Sequence, residues 1–281
     1  MVATNRIEVK KTYKLFINGA FPRSESGRVF EVHSKKGEFI ANPCLASRKD
    51  LRDSVTAARA AQHGWAKATA YNRGQILYRI AEMLEGRAEQ CAAEISATSA
   101  ATPVKAQALV REAIDRWVWY AGWSDKLSAV TGATNPVAGP YYNFTIPEPL
   151  GVVVVTASDS FIDFIDAIAA AVVSGNSVIA LVDGGLSVPA MTFAEVLATS
   201  DLPAGVINIL TGSLDELAPW AASHMDVDGF DISAIGKKKR AELKVAGAEN
   251  LKRIYIADGK LTPSRILAFM EQKTVWHTIG V

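Results

Sequence analysis

The 281-residue sequence is short of the residues that usually announce a site. It has only two cysteines, Cys44 and Cys91, which make neither a disulfide framework nor a zinc pattern. Its four histidines, His33, His63, His224 and His277, are scattered and show no metal-ligand spacing. Neither G-x-G-x-x-G nor G-x-x-x-x-G-K-[ST] occurs, so both common phosphate-binding signatures are missing. No apolar run reaches the length of a bilayer span. Residues 1–14 are polar and basic without an apolar core, which argues against a secretory leader and makes the cytoplasm the expected compartment. Charge of one sign is also lacking: the net charge is +1, which gives no electrostatic reason to expect nucleic acid or an anionic membrane as a partner.

What is present is nearly half apolar and patterned. "YKLFINGAFPRSESGRVFEVH" alternates apolar and polar residues around Asn18-Gly19, a strong hairpin signal. A helical region follows. Ser47 is placed to cap its first helix, with Asp50 where a capping box usually has Glu or Gln, so the match is partial. Another helix is expected from about residue 103 to 123, its aromatic "RWVWYAGW" end buried. "GPYYNFTIPEP" reads as an extended arm. Strands at 152–156, 177–182, 206–211, 229–232 and 252–257 then alternate with helices at 161–174, 189–200, 214–224 and 237–246. Continuous apolar strands alternating with helices predict an α/β fold, a Rossmann-like parallel sheet with helices on both faces. A last helix at 262–271 and an isolated strand at 273–279 complete the reading. The implied organisation is an N-terminal hairpin and helical part (1–138), an arm (139–149), a Rossmann-like domain (150–259) and a C-terminal helix and strand (260–281).

The first βαβ unit poses a question. Its turn, Thr156-Ala157-Ser158-Asp159-Ser160, holds no glycine to admit a dinucleotide. Other chemistry is equally thin. Cys91 in "EQCAAEI" reads as a small buried helix residue, and Cys44 as a bystander thiol. Asp159 and Asp163 stand where capping and the helix dipole favour carboxylates without any catalytic role. "GKKKR" at 236–240 reads as a solvated helix start.

"LFINGAF", the Trp65 helix followed by "NRGQILYRIAEMLEGR", "PEPLGVVVV", "AAAVVSGNSVIAL" and "LPAGVINILTG" together resemble the cofactor-domain framework of the aldehyde dehydrogenase superfamily. The resemblance covers nearly the whole chain. "TSDLPAGVINILTGSLDELAPWAASHMDVDGFD" is most similar to the degenerate second module of tandem, non-catalytic-type aldehyde dehydrogenases.

The resemblance implies where functional residues should stand, and this sequence departs at each place. Alignment on the family's Trp-Asn-Phe turn, whose Asn donates to the oxyanion, puts Asp159-Ser160-Phe161 there, and a carboxylate beside a developing oxyanion would repel it. The lysine that holds the adenosine ribose falls on Leu181. The Thr-Gly-Ser turn near the pyrophosphate falls on Ser233-Ala234-Ile235, with Ile235 expected to crowd the phosphates. The segment with the general-base Glu falls on Ala257-Asp258-Gly259-Lys260. Ser160, Leu181, Ala234 and Ala257 are thus read as degenerate positions. The nucleophile-bearing catalytic domain has no counterpart before "RILAFMEQKTVWHTIGV", which resembles the family's C-terminal oligomerisation segment.

The expectation is therefore a non-catalytic subunit, inactive alone and needing no cofactor or metal. It would assemble with itself or with a full-length aldehyde dehydrogenase through Tyr141, Tyr142 and Phe144 of the arm and Val275, Trp276 and Ile279 of the terminal strand. Two alternatives stand beside it. One is an NAD- or NADP-dependent half-enzyme completed by a partner subunit; the other is a nucleotide-binding sensor module.

Overall fold

The computed structural model describes residues 9–280. Residues 1–8, part of the stretch read above as lacking a leader, lie outside them, as does Val281. The strands are β1 (Val32–His33), β2 (Phe39–Ala41), β3 (Ala133–Asn135), β4 (Tyr141–Pro149), β5 (Val152–Ala157), β6 (Ser177–Val182), β7 (Ile207–Thr211), β8 (Gly229–Asp231), β9 (Arg253–Tyr255) and β10 (Met270–Thr278). The helices are α1 (Arg48–Lys67), α2 (Ala70–Glu85), α3 (Ala88–Thr98), α4 (Pro103–Ala121), α5 (Leu127–Thr131), α6 (Phe161–Val172), α7 (Ser187–Leu197), α8 (Leu214–Ser223), α9 (Lys237–Ala248) and α10 (Ser264–Leu267).

β5 and β6 are buried along their whole length, as continuous apolar strands must be when helices cover both faces of a sheet. The five-stranded parallel sheet has the order β7-β6-β5-β8-β9, the doubly wound arrangement expected of a Rossmann-like fold. Alternation sorts the side chains between two cores. Val153, Val155, Val178 and Ala180 join the larger core with α2, α4, α6 and α7. Val152, Val154, Ile179 and Leu181 join the smaller one with residues of α1 and α8. The aromatic end of α4 is buried in part: Trp117 stacks on Phe193 at 5.7 Å and Tyr120 is enclosed, whereas Trp119 and Trp123 are half-buried and Val118 is exposed.

The N-terminal hairpin closes the β7 edge. Ile17 and Ala20 exchange backbone hydrogen bonds of 3.0 Å around Asn18 (φ 52°) and Gly19 (φ 73°), the paired positive φ of a type I′ turn. Phe16 then pairs antiparallel with Ile209, so the outer strand does not end on bare backbone. At the start of α1 the capping box is complete, not partial. The Ser47 hydroxyl accepts from Asp50 N, and Asp50 accepts from Ser47 N.

The C-terminal segment differs most from expectation. The helix is only α10, because Ile266 and Phe269 turn into the larger core and Asn176 Nδ2 donates to Phe269 O at 2.9 Å. The strand is not isolated. All nine residues of β10 pair antiparallel with β4, whose other edge pairs with β3. The unpaired backbone inferred from sequence is therefore satisfied along one edge within the chain. Among the described residues, no helix is long and apolar enough to cross a membrane.

Candidate functional site

Strand order reverses between β5 and β8, where an open parallel sheet offers a crevice beyond the carboxyl ends of its strands. A cavity of about 350 Å³ lies there, formed by the turn after β5, the turns after β8 and β9, and Arg265. Three of the four positions read as degenerate, Ser160, Ala234 and Ala257, line it together. Leu181 does not. It is fully buried on the other face of the sheet, in the apolar cluster that also holds Leu214, Leu217, Ile232 and Ile235. Ile235 is likewise turned into that core instead of crowding the crevice.

The turn after β5 becomes the start of α6. Ser160 is its N-cap, accepting from Asp163 N at 3.1 Å. Asp159 is exposed and accepts from the Ser158 hydroxyl at 2.9 Å. The cap is thus the Ser160 hydroxyl and not a carboxylate: Asp163 stands in the first turn, where the helix dipole favours an acid, and Asp159 bonds only the neighbouring serine.

The turn after β8 is held from several sides. Asp231 is fully buried at the end of that strand, and its Oδ1 accepts from Ser233 N at 2.9 Å and from the Ser233 hydroxyl. Its Oδ2 accepts from Arg265 Nη2 at 2.9 Å. Thr156 Oγ1 bridges the switch point, donating to Asp231 O at 2.9 Å and accepting from Ala234 N at 3.2 Å. Ile235 N donates to Ile232 O at 3.1 Å, and Ala257 N donates to Ser233 Oγ at 2.7 Å. Arg240 donates to the carbonyls of Ser233 and Ile235, both at 2.8 Å. A pyrophosphate arriving at residues 233–235 would find every backbone N–H there already donating.

The electrostatics follow from burial. Arg265 is disfavoured as a cation by burial, yet Asp231 beside it keeps its pKa above the ordinary value. Behind it, burial pushes the Asp166 carboxyl up, opposed by Arg116, which donates to it at 3.0 Å. Tyr120 is raised by burial and by Asp166. Neither thiol reaches the crevice. Cys91 is fully buried, and burial with nearby Glu94 pushes it up to about 12, so it is a thiol at neutral pH. Cys44 is buried in the smaller core, its carbonyl accepting from Thr211 Oγ1 at 2.6 Å. Among the described residues, no group of His, Cys, Asp and Glu is arranged to hold a metal ion.

The sequence reading missed Asp231 and Arg265. A signal existed: an aspartate inside the buried strand "GFD" must find a partner.

The arm and strand residues meet on the antiparallel sheet. Tyr141 packs edge-on against Trp276 at 5.9 Å, and Tyr142 lies tilted against Phe144 at 5.5 Å. Val275 lies opposite Phe144, and Ile279 N donates to Pro140 O at 2.8 Å just beyond the sheet. Tyr141, Tyr142, Trp276 and Ile279 remain between 41 and 59% exposed.

A doubly wound sheet with its cavity at the switch point defines the class, that of the Rossmann-like α/β folds. The sequence profile of the aldehyde dehydrogenase family matches residues 21–271, and the chain belongs to that family. It is 31% identical over 273 residues to human (Homo sapiens) retinal dehydrogenase 2, covering 94% of this chain and 52% of that protein. It is 31% identical over 269 residues to the cytosolic 10-formyltetrahydrofolate dehydrogenase of Xenopus tropicalis, covering 92% of this chain and 30% of that one. Its fold is similar to the NAD-dependent aldehyde dehydrogenase of Sinorhizobium meliloti, with a TM-score of 0.81 and 25% identity over 88% of this chain and 50% of that one. The chain thus spans about half, or less, of the relatives it matches.

Proposed function

We propose that this chain is a non-catalytic aldehyde dehydrogenase-like subunit, assembling with itself or with a full-length aldehyde dehydrogenase in a structural or regulatory role. One observation carries the reading. At the switch-point crevice the backbone donors of residues 233–235 are taken up by Asp231, Thr156 and Ile232, inside the chain itself. Leu181, where the resemblance places a ribose-holding lysine, offers no donor and is sealed in the core. Ala257 cannot act as a base, and the Asp159 carboxylate would oppose a developing oxyanion. These residues do not fit NAD or NADP bound in the family's manner.

Support for assembly comes from the antiparallel sheet. Among the described residues β10 pairs along one edge only, and its Trp276 is exposed, as are Tyr141 and Tyr142 of β4. A further strand added to that edge would gain main-chain hydrogen bonds, with side-chain pockets giving selectivity.

The test titrates NAD and NADP into the purified chain by calorimetry and sizes the chain by light scattering, alone and mixed with a full-length homologue. The expected result is no saturable heat that a crevice-filling Ala234→Trp removes, and a mass above that of the monomer in at least one setting. Dinucleotide binding abolished by Ala234→Trp, or a monomer in both settings, overturns the reading.

A further inference from the structure

A second cavity, of about 400 Å³, opens between the first turn of α1 and the last turn of α8. It shares no lining residue with the switch-point crevice. Its walls carry Arg48, Lys49, Arg52, Trp220, Ser223 and His224.

The placement of charge here is unusual for a helix start. Arg48 and Lys49 are the first two residues of α1, and Arg52 follows in the next turn. A helix N-terminus carries positive partial charge, so carboxylates are favoured and cations disfavoured there. The acid of that turn, Asp50, does not offset them from the cavity side. It is buried and occupied by Ser47 N and the Ser24 hydroxyl.

The three cations are also weakly paired. Among the described residues no carboxylate forms an ion pair with Arg48, whose guanidinium lies 3.9 Å from the centre of the Trp220 ring. Lys49 reaches Glu25 only at 3.9 Å. Arg52 donates through Nε and Nη2 to its neighbour Asp53 Oδ1 at 3.2 and 3.0 Å, an exposed pair that an incoming phosphate would displace. Asp226, close to His224, is drawn off by Arg59 at 2.7 Å.

The polar wall is oriented. His224 Nδ1 accepts from Asp226 N at 3.2 Å, so the neutral ring carries its proton on Nε2 as a donor. Burial, more than the nearby Lys252 and Arg48 charges, holds His224 below its usual pKa, and the ring is neutral at neutral pH. Lys252 lies buried behind it, donating to His224 O at 2.9 Å. Beside these groups Trp220 is left 41% exposed, a large apolar face next to the cations.

We propose that this cleft binds a small molecule bearing phosphate groups, with the guanidinium forks of Arg48 and Arg52 on the phosphate oxygens and the organic part against Trp220. Phosphate suits the site better than a single carboxylate, because spaced cations match several anionic oxygens and planar guanidinium groups bind them in pairs. The assignment stands apart from the non-catalytic reading, since it uses none of the crevice residues.

The test titrates inorganic pyrophosphate and ADP into the full chain by calorimetry at low ionic strength. Both should bind saturably, and Arg48→Ala and Arg52→Ala should each weaken binding about tenfold or more, a measurable 1.4 kcal/mol. Trp220→Leu should weaken ADP more than pyrophosphate. Lys237→Ala, in the lysine run that opens α9, should change neither. All four positions are exposed, and circular dichroism melts of each variant serve as the check that it folds. Absence of saturable binding, affinity indifferent to Arg48→Ala, or affinity carried by Lys237 overturns the proposal. So does sedimentation with vesicles containing phosphatidic acid when pyrophosphate itself does not bind.

Discussion

A side-chain methyl at residue 151 would have nowhere to go. Gly151 has φ 138°, and a Cβ there would lie 2.0 Å from Asp228 Oδ2. That oxygen cannot retreat cheaply, because it accepts from Val152 N at 2.7 Å and from Arg59 Nη2 at 2.6 Å. Gly151→Ala should lower stability by about 2–3 kcal/mol in urea unfolding, combining backbone strain with a broken polar contact. The buried Asp231–Arg265 pair has a different signature. Arg265→Met leaves a buried carboxylate without its counter-ion and should cost about 3–5 kcal/mol. Removing both charges, with Asp231→Ala added, should recover part of that loss. A double mutant no more stable than the single one would show that the pair acts through packing alone. Lys252 makes a prediction in pH. Burial lowers its pKa from 10.5 to about 8. Between those values the unfolded chain holds a proton that the folded chain has released, so stability rises with pH through that window and is flat below it. In Lys252→Met, unfolding measured across pH 8 to 10.5 should lack that rise.

Among the elements, those coded by neighbouring residues were legible in the sequence. Asn18-Gly19 between alternating runs gives the hairpin, and the valine run of β5 gives a strand buried on both faces. Ser47 and Asp50 are three residues apart, and their box is complete because Asp50 is also buried against Ser24. Ser47→Ala should cost about 1 kcal/mol, visible as a lower thermal midpoint. Pairings across long separations were not legible. β10 reads as a lone strand because its partner β4 lies more than a hundred residues earlier, Thr145 and Thr274 being 129 positions apart. The candidate site divides in the same way. Ser160, Ala234 and Ala257 follow from the resemblance to the family's motifs, whereas the bonds that occupy the crevice join separate strand ends, and Arg265 folds back 34 positions to Asp231. Ile235 was placed in the right turn, but its inward rotation depends on an apolar cluster assembled from several elements.

For the molecule as a whole, the C-terminal segment splits into two parts with different burial. Ile266 and Phe269 are fully enclosed in the larger core, whereas β10 beyond Met270 is mostly exposed. Removing residues 273–281 should therefore leave a cooperative melt close to that of the intact chain. Removing residues 264–281 should abolish it, because Ile266, Phe269 and the Arg265 counter-ion leave together. The long β4–β10 pairing also sets an order of events in time. Closing so large a loop loses chain entropy before any contact rewards it, while β5 and β6 meet through a single helix. The parallel sheet should thus form first and the antiparallel sheet last. In hydrogen–deuterium exchange of the native protein, the amides of β10 should exchange well before those of β5 and β6, as a unit that opens without unfolding the rest. A brief detachment of this strand would bare the β4 edge, so each molecule would intermittently present two complementary strand edges capable of trading partners with another copy.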